Sequence, residues 1–126
     1  MDKTLLSIIE LGGYPNFIPL YQSRGLTVES VNSVRKAIKV LKTSRPAIIV
    51  SEFNFQSDFR DRTSSLESLL AAVQWMPETK VIVLYDKEWH EKLQQLLAVY
   101  TVFATIPFPI KEQQLASVLD RAIVVD

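Results

Sequence analysis

A chain of 126 residues, 48% of them apolar, is long enough for one packed core and too apolar for a disordered segment. Fourteen basic residues balance fourteen acidic ones, so no global field draws the chain onto nucleic acid or anionic membrane. Cysteine is absent, which removes disulfides and thiolate metal sites. Met1-Asp2-Lys3 opens no signal-peptide pattern, and no stretch reaches the ~20 apolar residues of a spanning helix. A cytoplasmic protein without membrane or nucleic-acid partners is expected.

Thr4 to Ile9, broken only by Ser7, predicts a buried strand closed by Glu10 and the Gly12-Gly13 pair. That pair lacks the spacing of a dinucleotide fingerprint or phosphate loop and reads as a turn. Pro15 to Arg24 predicts a short helix stopped by Gly25. Pro19 would remove an internal hydrogen bond unless the helix begins near it. Leu26 to Glu29 alternates as a second strand. Ser33 reads as the N-cap of a helix ending near Ser44, with Val34, Ile38 and Leu41 inward, supported by Ala37 and Val40. Arg35, Lys36, Lys39 and Lys42 lie mostly on its outer side, as a solvated face or a docking face for an acidic partner.

Pro46-Ala47-Ile48-Ile49-Val50-Ser51-Glu52-Phe53-Asn54-Phe55 organises the rest. Four consecutive apolar residues form a run too uninterrupted for a half-exposed strand. They predict the central strand of a parallel sheet covered on both faces. Glu52 falls where that strand leaves the sheet, the end at which ligands gather in open α/β sheets. Gln56 to Thr63 is polar, and Ser64-Ser65-Leu66-Glu67 makes a capping-box pattern. Leu66, Leu69, Leu70 and Val73 then follow at helical spacing, with Pro77 beyond the end. Val81 to Tyr85 is a fourth strand. Asp86 can cap a helix carrying Trp89, Leu93, Leu96, Leu97 and Tyr100 along one side. Val102 to Ile106 is a fifth strand, followed by Pro107-Phe108-Pro109. A last helix from about Ile110 buries Leu115, Val118, Leu119 and Ala122.

Strand and helix thus alternate five times in one α/β domain over residues 1–126, with parallel pairing and helices on both faces. Five such units with this punctuation resemble the receiver domain of two-component response regulators over nearly the whole chain. That resemblance implies a three-layer α/β/α, flavodoxin-like fold with strand order 2-1-3-4-5. Glu52 stands in the place of the phosphorylated aspartate. Asn54 matches the residue whose carbonyl helps hold the divalent ion, and Tyr85 replaces the usual serine or threonine. Ile106-Pro107-Phe108 resembles the Lys-Pro-Phe signature with isoleucine in the lysine place, and Phe103 falls at the aromatic switch residue. Ile8 and Ile9 occupy the acid-pair places, with Glu10 displaced from them. The connection containing Phe59-Arg60-Asp61-Arg62 is longer than usual.

Phosphoryl transfer depends on positioning and charge neutralisation. Each group that supplies them in a receiver is here replaced, displaced or lost, so no enzyme activity, cofactor or metal is expected. Three roles stay open for Glu52. It can be a buried, satisfied carboxylate, a fixed charge that imitates an activated shape, or one of three oxygen donors around a cation with Glu10 and Asp86. Arg60 or Arg62 can supply an internal counter-charge to Glu52 or Glu10, or pair locally with Asp58 and Asp61 in a solvated loop. His90 sits among charges, without a serine or carboxylate at a telling spacing, and takes no role. The expected function is a non-catalytic pseudo-receiver module working through protein contacts. A protein partner or a second copy would meet a face containing Trp89, Tyr100, Phe103, Phe108 and Ile110. The alternative is a small-molecule or nucleotide-binding flavodoxin-like domain.

Overall fold

Ile48-Ile49-Val50 can be buried on both sides only where helices cover both faces of the strand that carries them. The computed structural model, which describes residues 3–9, 15–53 and 65–123, puts this segment at the centre of a five-stranded sheet. The elements run β1 (Lys3–Ile8), α1 (Ile18–Ser23), β2 (Leu26–Val31), α2 (Val34–Leu41) and β3 (Ile48–Phe53). They continue with α3 (Ser65–Val73), β4 (Lys80–Tyr85), α4 (His90–Leu97), β5 (Ala104–Pro107) and α5 (Glu112–Ile123). The strand order is β2-β1-β3-β4-β5, parallel throughout, in agreement with the three-layer architecture expected above.

All six residues of β3 are buried. Ile49 and Phe53 pack into a core with Val34, Leu69, Leu70 and Leu93 from α2, α3 and α4. Ile48 and Val50 pack oppositely, with Tyr21 of α1 and Leu115, Val118 and Leu119 of α5. The period of two along one strand therefore feeds two separate cores. The strand entries are laced together as well. Ala47 N–H donates to the Thr4 carbonyl at 2.9 Å, Lys80 N–H to the Ala47 carbonyl at 3.0 Å, and the Thr79 hydroxyl to the Pro46 carbonyl at 2.8 Å.

Several boundaries differ from the sequence expectation for local reasons. The first helix starts at Ile18 rather than Pro15, because Pro19 is tolerated only in the first turn. It stops at Ser23, and Gly25 beyond its cap takes a φ of +78° that favours glycine. β2 continues past Glu29 because Ser30 and Val31 pair with Ser7 and Ile8 of β1. α2 is capped as expected, the Ser33 hydroxyl accepting from Lys36 N–H at 3.1 Å. It stops at Leu41, where the N–H groups of Thr43 and Ser44 both turn back to the Val40 carbonyl. Only Val34 and Ala37 of its inward stripe are fully buried, while Ile38, Val40 and Leu41 are half-buried.

Asp86 accepts from Glu88 N–H at 2.9 Å and so caps a 3₁₀ turn, Lys87–Trp89, that leads into α4. The assigned ladder of β5 begins at Ala104 rather than Val102, although Phe103 N–H already donates to the Val81 carbonyl at 2.8 Å. The last helix begins at Glu112 rather than near Ile110. Ser64 of the capping-box pattern lies outside the described residues. Arg24 forks onto Asp120 at 3.1 and 3.5 Å, tying α1 to α5. As a largely exposed pair it adds less than ~1 kcal/mol. Among the described residues, no helix is long and apolar enough to cross a membrane.

Urea denaturation of Ile49→Ala should show a loss of about 2–5 kcal/mol, the range for deleting a fully buried aliphatic side chain. Ser33→Ala should lose about 1 kcal/mol through its helix cap alone. An Ile49→Ala change within error of wild type would contradict the two-sided burial of β3.

Candidate functional site

The carboxyl ends of β1, β3, β4 and β5 form one rim of the sheet, and residues in register there lie side by side. Glu52 pairs with Leu84, and Leu84 pairs with Ile106. Phe53 pairs with Tyr85, and Tyr85 pairs with Pro107. Ile8 pairs with Ser51. Two residues beyond Val50, Glu52 shares its face with the α1 and α5 layer, beside Leu84 and Ile106.

Glu52 is only 6% exposed and is not an isolated charge, since it has an interaction partner. It is the penultimate residue of β3 rather than its exit. The Ser51 hydroxyl donates to the Glu52 carbonyl at 3.3 Å. Among the described residues, isoleucines stand on the strands that flank this carboxylate. Ile8 and Ile106 are fully buried, one in each core, and Ile9 is half-buried on the α1 and α5 side. Tyr85 is buried, with its ring centroid 6.0 Å from that of His90. Asp86 is exposed and engaged in its cap. Among the described residues, no three His, Cys, Asp or Glu side chains come together as a cation would require. Glu10, Asn54, Arg60 and Arg62 lie outside the described residues, and with them the cation grouping around Glu10 and the guanidinium counter-charge.

The expected aromatic face is divided. Trp89 and Tyr100 are half-buried against the core beneath α2, α3 and α4. Phe103 and Phe108 are exposed, at 38% and 40%. They flank opposite ends of β5, separated by roughly 17 Å at the ordinary rise of a strand. Ile110, expected to be exposed beside Pro109, is instead buried. It enters the α5 layer ahead of Glu112 and packs in the core containing Leu115 and Val118. Two more exposed apolar side chains escaped sequence reasoning. Trp75 follows α3 and Val99 follows α4. Helical periodicity reports which residues face inward, but says little about residues beyond a helix end.

A crevice over the ends of β1 and β2 was also missed. Its described lining includes Ser7, Tyr21, Ser30 and Lys36. The available signal was a serine continuing the apolar alternation of each strand, Ser7 after Leu5 and Ser30 after Leu26 and Val28, though Ser30 is exposed.

No protein-family model matches the sequence, and no curated protein does. Solved structures do match in shape. The chemotaxis response regulator CheY4 of Vibrio cholerae superposes with a TM-score of 0.75 at 17% identity, covering 98% of this chain and 100% of that one. A response regulator receiver domain protein from Clostridium thermocellum gives 0.75 at 16% identity, covering 96% and 94%. The signal receiver domain of an HD domain-containing protein from Pseudomonas fluorescens Pf-5 gives 0.74 at 17% identity, covering 98% and 95%. The fold of this chain is therefore that of the receiver domains of response regulators.

Proposed function

We propose that this chain is a pseudo-receiver, a signalling or scaffolding module that acts through protein contacts and is not phosphorylated in the usual way. The observation that carries the reading is the rim itself. Among the described residues, the buried Glu52 shares its face with Leu84 and Ile106, Tyr85 packs on the opposite face, and Ile8 and Ile9 stand at and just beyond the end of β1. A phosphoryl group arriving there would need a cation and a counter-charge to neutralise its oxygens. Isoleucine can supply neither. Glutamate also carries its carboxylate one methylene beyond aspartate's reach, and a misplacement of roughly 1 Å can lower a rate about a hundredfold. Glu52 then serves as a satisfied structural carboxylate. Its single charge would imitate a phosphoryl group, at about −1.5 to −2, only in part.

Contacts remain as the means of action, and the aromatic residues around β5 are the surface best suited to them. Phe103 and Phe108 are exposed, and the short strand between them is an edge of the sheet. Aromatic side chains bring large apolar area at low entropy cost, which suits binding hot spots. A protein partner or a second copy would dock there.

Incubation with acetyl phosphate and Mg²⁺, followed by intact-mass analysis, should leave the mass unchanged. A gain of about 80 Da, lost in Glu52→Gln, would sink the proposal. Light scattering behind size exclusion should detect self-association that rises with concentration and weakens in Phe103→Ser/Phe108→Ser. A strict monomer at every concentration would remove the second copy as the partner.

A further inference from the structure

The crevice over β1 and β2 has a volume of about 500 Å³, within the usual range of small-molecule sites. Phe17, Val31 and Leu84 supply apolar wall, while Ser7, Tyr21, Ser30, Asn32 and Lys36 bring polar groups to the same space. Ser7 and Ser30 are register partners, so their side chains stand next to each other on the α1 face of the sheet. Elsewhere on that face the two strands present Leu5, Leu26 and Val28 to the core. Ser7 is buried and Ser30 exposed, so the pair runs from the floor of the crevice to its open side.

Their hydrogen bonding is also incomplete. Ser7 is 9% exposed and Tyr21 3%, and neither hydroxyl has a hydrogen-bond partner among the described residues. A sealed, unpaired hydroxyl would be destabilising. No side-chain oxygen in the described structure is both fully occluded and unpaired, so both hydroxyls open onto the crevice. Burial pushes the Tyr21 phenol upward, which keeps it a neutral donor and acceptor at physiological pH. At the mouth, the exposed Lys36 has no ion pair among the described residues. It belongs to a stretch with no acidic residue between Glu29 and Glu52. One cation suits a single negative charge and not a polyphosphate.

We propose that this crevice binds a small amphiphilic carboxylate. Its ring or branched body lies against Phe17, Val31 and Leu84, the Ser7 and Tyr21 hydroxyls bond a polar substituent, and Lys36 meets the carboxylate. The site goes beyond the protein-contact reading and does not depend on it. The acetyl phosphate and light-scattering outcomes neither require nor exclude it.

Titration of the ¹⁵N-labelled full chain with 4-hydroxyphenylacetate tests the site, with 4-hydroxyphenylacetamide as the uncharged control. Saturable shifts are expected at the amides of Ser7, Phe17, Tyr21, Ser30 and Lys36. Lys36→Gln should weaken the carboxylate by up to about fivefold and leave the amide unchanged. Tyr21→Phe and Ser7→Ala, which each delete one oxygen, should weaken both probes by about fivefold. The surface change Lys36→Gln keeps the test decisive if a buried variant fails to fold. The proposal is overturned if neither probe gives saturable shifts, if the shifts map to another surface, or if Lys36→Gln weakens both probes equally.

Discussion

The two-sided burial of β3 is the constraint on which the structure depends. Every one of its six side chains is removed from water, and they alternate between two helical layers. Neither layer alone could cover such a strand, so α2, α3 and α4 must lie on one side and α1 and α5 on the other. Parallel neighbours follow, because crossovers through helices return the chain in the same direction. The backbone bonds among Thr4, Ala47 and Lys80, with the Thr79 hydroxyl donating to the Pro46 carbonyl, hold the three central strands in register at their opposite end.

That burial governs what the rim can do. A strand sandwiched on both faces presents its last residues to a space whose polarity is set by the neighbouring strands. Among the described residues, the neighbours on its face contribute Leu84 and Ile106, and Glu52 is a carboxylate in line with them. A buried charge is tolerated only with a partner, and Glu52 has one. Fold and chemistry are separable, since the sheet depends on the inward residues and the chemistry on a few side chains at its end.

Displacement from the rim is the second theme. Among the described residues, Ser7, Tyr21 and Lys36 bring polar groups together over β1 and β2, one strand away from Glu52, where the six-residue α1 covers the sheet. The exposed aromatics lie at the far edge, around β5. Two separate surfaces on one small frame can take different occupants without competing for the same residues.

Legibility followed the physics of each feature. Alternating blocks of apolar residues at periods of 2 and 3.6 were enough for the five βα units, the parallel sheet and the inward stripes of α3, α4 and α5, because burial leaves a periodic trace. Caps at Ser33 and Asp86 were equally visible, because they depend on residues within one turn. Glu52 could be named in advance from its place at a strand end, and the isoleucines and Tyr85 from the resemblance to receiver domains. Ile110 could not be placed in the same way. Whether a residue between a proline and a helix faces water depends on where that helix docks, and no local period records it. The crevice needed coordinates for the same reason. Ser7 and Ser30 are 23 positions apart, and only the β1–β2 register sets their hydroxyls side by side beneath Tyr21. Local spacing therefore determined the elements and the composition of the rim, while the meeting of distant side chains was decided by packing.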